Sequence, residues 1–181
     1  MPLSNAPAHR RQNPVLQWMS IVNGIGNVHQ GTTSGAPASG AWPNANRAIY
    51  VPVLVDAPAT VYRLWYYAGA TASGNYDLGL YDINFKLLVS TGSTAQSGTN
   101  GYNNRDVTDT TIGRGIYYVA MSLSNTTGTV LRSVASNFAT YHRAFGVLQE
   151  ENAVPLPATA TPAALSTNYI PVIGASLRAT F

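Results

Sequence analysis

The chain has 181 residues, one domain and its arms on the usual scale of roughly 100–200 residues per domain. Charged residues make up only 9%, against about 25% in an ordinary domain, while 18 Thr, 15 Asn and 14 Ser supply neutral polar groups instead. That balance excludes a charge-rich disordered chain, and the lack of Cys excludes disulfide scaffolds, thiolate metal sites and cysteine nucleophiles.

The formal charge of +3 comes from nine Arg and Lys86 against five Asp and two Glu, spread thinly. The one basic knot is His9, Arg10 and Arg11, whereas sequence-independent nucleic-acid binding needs several phosphate-reaching cations along one face. Nucleic acid is therefore disfavoured as a partner. The longest purely apolar run, Ile49 to Val55, falls far short of the ~20 residues that span a bilayer, so no membrane association is expected. Met1 is followed by PLSNAPAHRR with no apolar h-region, so the expectation is synthesis and retention in a cytoplasm.

Along the chain, residues 1–46 are rich in Pro, Gly, Ala, Ser, Asn and Thr and read as an extended arm, with VLQWMSIV (Val15 to Val22) the one segment apolar enough to dock. Residues 47–150 change character. Short apolar and aromatic runs alternate with Gly, Asn, Asp and Ser clusters, which is the pattern of an all-β, two-sheet antiparallel sandwich of jelly-roll type. The predicted strands are Ala48 to Val55, Thr60 to Ala68, Tyr76 to Ile83, Phe85 to Ser90, Asp106 to Thr111, Gly115 to Ser124, Thr129 to Val134 and Thr140 to Leu148. Alternation assigns Tyr76, Leu78 and Leu80 to the core with Asp77 and Gly79 opposite, and makes Tyr117, Val119, Met121 and Leu123 another buried set. Turn chemistry marks Asp82 to Phe85, Ile112 to Gly115 and Asn125 to Gly128 as connections. Pro52 has no N–H to donate, which predicts a sheet edge or a bulge there. Residues 151–181, with Pro155, Pro157, Pro162 and Pro171, read as an extended C-terminal arm whose last part has enough apolar residues for a final strand.

Catalytic and cofactor motifs are missing from the sequence. There is no GxxxxGK[ST] loop, no GxGxxG fingerprint, no GxSxG elbow and no HExxH, and His9, His29 and His142 are scattered. The expectation is no catalytic residue, no cofactor and no metal. Asp77, Asp82, Asp106 and Asp109 lie near predicted loop ends, where a glycosidase pair or a calcium site is conceivable, but turn formation and capping by short Asp side chains is the favoured reading. Asn125-Thr126-Thr127 fits a glycosylation sequon, which a chain this rich in Asn and Thr produces by accident.

The densest aromatic group is TVYRLWYY. A strand there places Tyr62, Leu64 and Tyr66 on one face and Arg63, Trp65 and Tyr67 on the other, and Arg63 marks its own face as the one nearer solvent. Trp65 and Tyr67 are then candidates for a subunit contact, with Arg63, Trp65 and Tyr67 as the alternative glycan platform. Trp18, Trp42, Tyr169 and Phe181 complete the candidate interface residues as anchors of the two arms.

The runs AWPNANRAIYVPVLV, GATASGNYDLGLYD, LLVSTGSTAQSGT, DVTDTTIGRGIYYVAMS and YIPVIGASLR, spread over about Ala41 to Phe181, resemble a family of small β-sandwich virion structural proteins of tailed bacteriophages. The YDxxxxLLxSTGS and GxYYxA elements are also similar to jelly-roll modules of secreted bacterial proteins that bind sugars or accompany peptidases. The phage resemblance implies a non-enzymatic capsid decoration or head fibre-like protein, assembled in the host cytoplasm and located in the virion. Its implied partners are other copies of itself, as a homotrimer, and the major capsid protein or other virion proteins, reached through the arms. The alternative is a tail or fibre adhesin, or a carbohydrate-binding module, that recognises host glycans.

Overall fold

The computed structural model describes residues 20–21, 24–26, 37–132 and 146–179. Within them the chain is all β, and every strand pair is antiparallel. One sheet runs β1 (Ser20–Ile21), β2 (Gly24–Gly26), β14 (Ile173–Ala179), β5 (Ala59–Tyr67), β9 (Tyr102–Ile112). The other runs β13 (Ala163–Ala164), β12 (Leu148–Glu150), β4 (Arg47–Val55), β10 (Gly115–Leu123), β6 (Asn75–Tyr81), β7 (Leu87–Ser90), with β8 (Thr94–Ala95) added to β6. A two-stranded ribbon of β3 (Ala38–Ala41) and β11 (Thr129–Arg132) sits beside them.

The two sheets face each other over one core, and the strand registers explain its composition. β10 aligns Met121 with Ile49 on one side and Leu78 on the other, and Val119 with Val51 and Leu80. The opposing sheet presents Val61, Leu64 and Tyr66 from β5, with Ile173 and Ala175 from β14, all fully buried. The period-two alternation of the sequence therefore locates this inner surface correctly in β6 and β10.

Asp77 and Gly79 do turn away from that core, yet they are buried too. A second apolar cluster covers the outer face of the larger sheet: Ala48, Tyr50, Tyr81 and Ala120 from the strands meet Ala153, Leu156 and Ala160 from the chain that follows β12. Residues 151–162 form a strap across this face. Its backbone is tied down at both ends and in the middle, by Ala153 N–H to the Asn46 carbonyl, Leu156 N–H to Asp77 Oδ2, Leu87 N–H to the Ala158 carbonyl and Ala160 N–H to the Phe85 carbonyl. Tyr81 donates to the Pro157 carbonyl at 2.7 Å and holds the strap from below, while Tyr50 donates at 2.7 Å to Oε2 of Glu150, the residue just before it. Gly79 provides the seat, since a Cβ there would stand 2.8 Å from Leu156 Cδ1.

The structured body is thus wider than residues 47–150. The proline-rich stretch cannot join a ladder at Pro155, Pro157 and Pro162, which have no N–H; it pairs its remaining polar groups with sheet side chains and loop carbonyls and buries its small apolar side chains. Beyond it, β14 enters the other sheet between β2 and β5, so the last part of the predicted arm is an interior strand. Several boundaries also shift: β9 begins at Tyr102 rather than Asp106, and β7 begins at Leu87 because Asp82 to Lys86 closes a turn around Asp82 Oδ1, with Phe85 at φ 59°. The end of the Thr129 to Val134 run, and Thr140 to Leu148 as far as residue 145, lie outside the described residues. Pro52 lies beyond the start of β12, which pairs with Ala48 to Tyr50, so among the described residues nothing pairs with β4 there on that side.

Candidate functional site

The outer face of the smaller sheet differs from its counterpart, since polar and aromatic side chains line it. Register sets the arrangement: β5 pairs with β9 as Tyr67 with Tyr102, Trp65 with Asn104 and Arg63 with Asp106. Paired residues share a face and lie about 5 Å apart, so these six side chains form a compact two-column patch. Against β14, which pairs Ser176 with Arg63 and Leu177 with Val61, Tyr62 is an extra residue in β5. Tyr62 therefore leaves the inner set with Leu64 and Tyr66 and stands outside, where the Arg178 guanidinium lies 4.2 Å above its ring.

Arg63 Nε donates to Asp106 Oδ1 at 2.7 Å, and Asp106 is 75% exposed. That hydrogen bond pushes the guanidinium pKa further up. Arg178 Nη1 lies 3.3 Å from Asp109 Oδ2 further along the same face. Cations and carboxylates alternate here, and their charges cancel.

The sequence placed Arg63, Trp65 and Tyr67 together on this side, and the structure brings them together. Trp65, however, is only 7% exposed and its ring centroid is 5.7 Å from that of Tyr102, which is 50% exposed. Trp65 is therefore the support of the patch rather than its contact ring, and Tyr102 takes that position. Sequence reasoning missed Tyr102 because Tyr-Asn-Asn-Arg-Asp looks like loop and its polar residues carry no alternation that would reveal the longer strand.

Two expected anchors belong to the core. Trp42 is 1% exposed, donates from Nε1 to the Arg47 carbonyl at 2.9 Å and meets Tyr169 edge-on with centroids 5.3 Å apart. Tyr169 is buried, with its hydroxyl on the Gly40 carbonyl at 2.7 Å and its pKa pushed up by burial. Each large ring fills space between the ribbon and the sandwich while its polar tip finds a backbone partner, so neither can act as a surface anchor. Trp18 and Phe181 lie outside the described residues.

Six of the seven acidic residues make contacts within the fold. Asp77 is 1% exposed beneath the strap, accepts from Leu156 N–H at 3.0 Å and from Thr91 Oγ1 at 3.1 Å, and has its pKa raised by desolvation. Asp82 organises its turn, as the capping expectation has it, whereas Asp77 does not lie in a turn at all. Asp106 and Asp109 pair with arginines, Glu151 bonds the buried Arg47 at 2.7 Å, and Glu150 accepts from Tyr50 and Thr161. Among the described residues no group of three or more His, Asp or Glu is placed to hold a metal ion.

Comparison with protein-family models, curated proteins and solved structures returns no match, so what the chain is similar to rests on its own motifs and on this antiparallel sandwich.

Proposed function

We propose that this chain is a non-enzymatic structural component of a bacteriophage virion, a capsid decoration or head fibre-like protein that displays its sandwich on the particle surface. The observation that carries the reading is the use of six of the seven carboxylates: Asp77, Asp82, Asp106, Asp109, Glu150 and Glu151 serve strap, turn or strand-to-strand contacts, and Asp56 is exposed. The low charge and the resemblance of the strand and turn motifs to virion β-sandwich proteins support the same reading.

Residues 151–179, with β1 and β2, are engaged in the body, so fastening to the capsid and to sister copies in a homotrimer falls to the segment before Ser20, which carries Trp18, and to the final residues around Phe181. Quantitative mass spectrometry of purified particles, with heads and tails separated, tests this. The expected result is many copies in the head fraction, and loss of those copies when residues 1–19 are deleted, which leaves β1 and β2 in place. Absence from particles, or incorporation that ignores the deletion, refutes it.

A further inference from the structure

We propose that the outer face of the smaller sheet is a binding site for a neutral oligosaccharide, with Tyr102 as the stacking ring and Asn104, Asp106 and Arg63 as the hydroxyl-reading groups. This goes beyond the virion reading and holds whether or not the chain belongs to a particle.

A sugar offers an apolar C–H face and vicinal hydroxyls, so its site needs an exposed ring held rigidly and a few planar polar groups beside it. Tyr102 supplies the ring, half exposed and held by the nearly buried Trp65 at 5.7 Å. A tyrosine has few rotamers to lose, and this one is already fixed, which lowers the cost of ordering on binding. Gly174, the partner of Trp65 on β14, has no side chain to rise over the indole or wall off the patch. Tyr102, Asn104 and Asp106 follow one another on β9 at alternate positions, about 7 Å apart, so ring, amide and carboxylate form a line along the strand. The Arg63–Asp106 pair uses only Nε of a guanidinium with five N–H donors, leaving fixed donors and an exposed carboxylate oxygen for a diol.

Charge decides the class of sugar. Arg63 faces Asp106 and Arg178 faces Asp109, so among the described residues these four charges of the face cancel. Phosphorylated or sialylated ligands find each cation already neutralised by a carboxylate, whereas a neutral polyol finds donors and acceptors in matched numbers.

The test uses the full chain in titration calorimetry and tryptophan fluorescence against a panel of neutral hexasaccharides including cellohexaose, chitohexaose and maltohexaose, with polysialic acid as the charged comparison. The expected result is binding of at least one neutral hexasaccharide with a change in tryptophan emission, because Trp65 touches the stacking ring. Tyr102→Ala weakens that binding about tenfold or more, Tyr102→Phe preserves it, and Asp106→Ala weakens it, all at unchanged melting temperature. No binding across the neutral panel, tighter binding of polysialic acid, or binding indifferent to both Tyr102→Ala and Asp106→Ala overturns the proposal, including the case where this face docks only a protein.

Discussion

The two outer faces of this sandwich are built on opposite plans. That of the larger sheet is closed by the chain's own strap, with apolar side chains and buried Asp77 beneath it. That of the smaller sheet has no such strap among the described residues, and arginine–carboxylate pairs and a half-exposed tyrosine line it. The difference shows in the strands themselves. β4 reads RAIYVPVLV with little alternation, as a strand covered on both sides must, whereas β9 reads YNNRDVTDTTI, the composition of a strand at a wet edge. Stability should therefore depend on the closed face and recognition on the open one.

The largest effect is expected at the strap. Leu156→Ala removes the side chain seated on Gly79 and should cost about 2–5 kcal/mol in urea unfolding. A cost near zero would mean that the strap contributes nothing to the native fold and would erase the contrast between the faces.

Asp77 sharpens the contrast through pH. Burial raises its pKa above the ordinary 3.8 against the pull of four hydrogen bonds. The native state then holds this proton more tightly than the unfolded chain. Its contribution to stability is complete below the unfolded value and lost as the pH climbs through the raised native one. Asparagine does not titrate, so the stability of the natural chain relative to Asp77→Asn should improve as the pH falls from about 7 to about 4. Unfolding curves of both proteins over that range check the sign, and a difference that stays flat or worsens on acidification contradicts the buried, desolvated carboxyl.

Smaller effects follow at single hydrogen bonds. Tyr50→Phe takes one hydrogen bond from the closed face, leaves Glu150 without that donor and should cost about 1 kcal/mol. On the open face, Asp106→Asn breaks a solvent-exposed pair and should change stability by less than about 0.5 kcal/mol. Parity between these two substitutions in the same unfolding assay would show that the faces are not as different as their burial implies.

The sequence made the inner core legible because alternation reports one buried face directly: Leu64 and Tyr66 against Arg63, Trp65 and Tyr67, and Leu78 and Leu80 against Asp77 and Gly79, fall as the period predicts. The strap was not legible. Pro155, Pro157 and Pro162 break any periodic pattern, and the partners of this stretch, Asp77, Tyr81 and Phe85, lie far away in sequence, so nothing local distinguishes a folded strap from a free arm. An indirect sign was present in the missing alternation of Ile49 to Val55, which implies cover on both sides and leaves the proline-rich segment as a source of it. Tyr62 escaped for a different reason, because one inserted residue in β5 reverses the face of its side chain. Trp65 was placed on the correct face but with the wrong role, since a strand pattern gives direction and not depth; depth here depends on Tyr102 of the neighbouring strand.

Hydrogen exchange of the full chain, read at single amides, tests the closed-face architecture most directly. Leu156, Ala160 and Ala153 N–H groups, bonded to Asp77, Phe85 and Asn46, should exchange in the same slow class as the central amides of β10. Fast exchange at these three positions while β10 stays protected would show the segment to be a free arm after all.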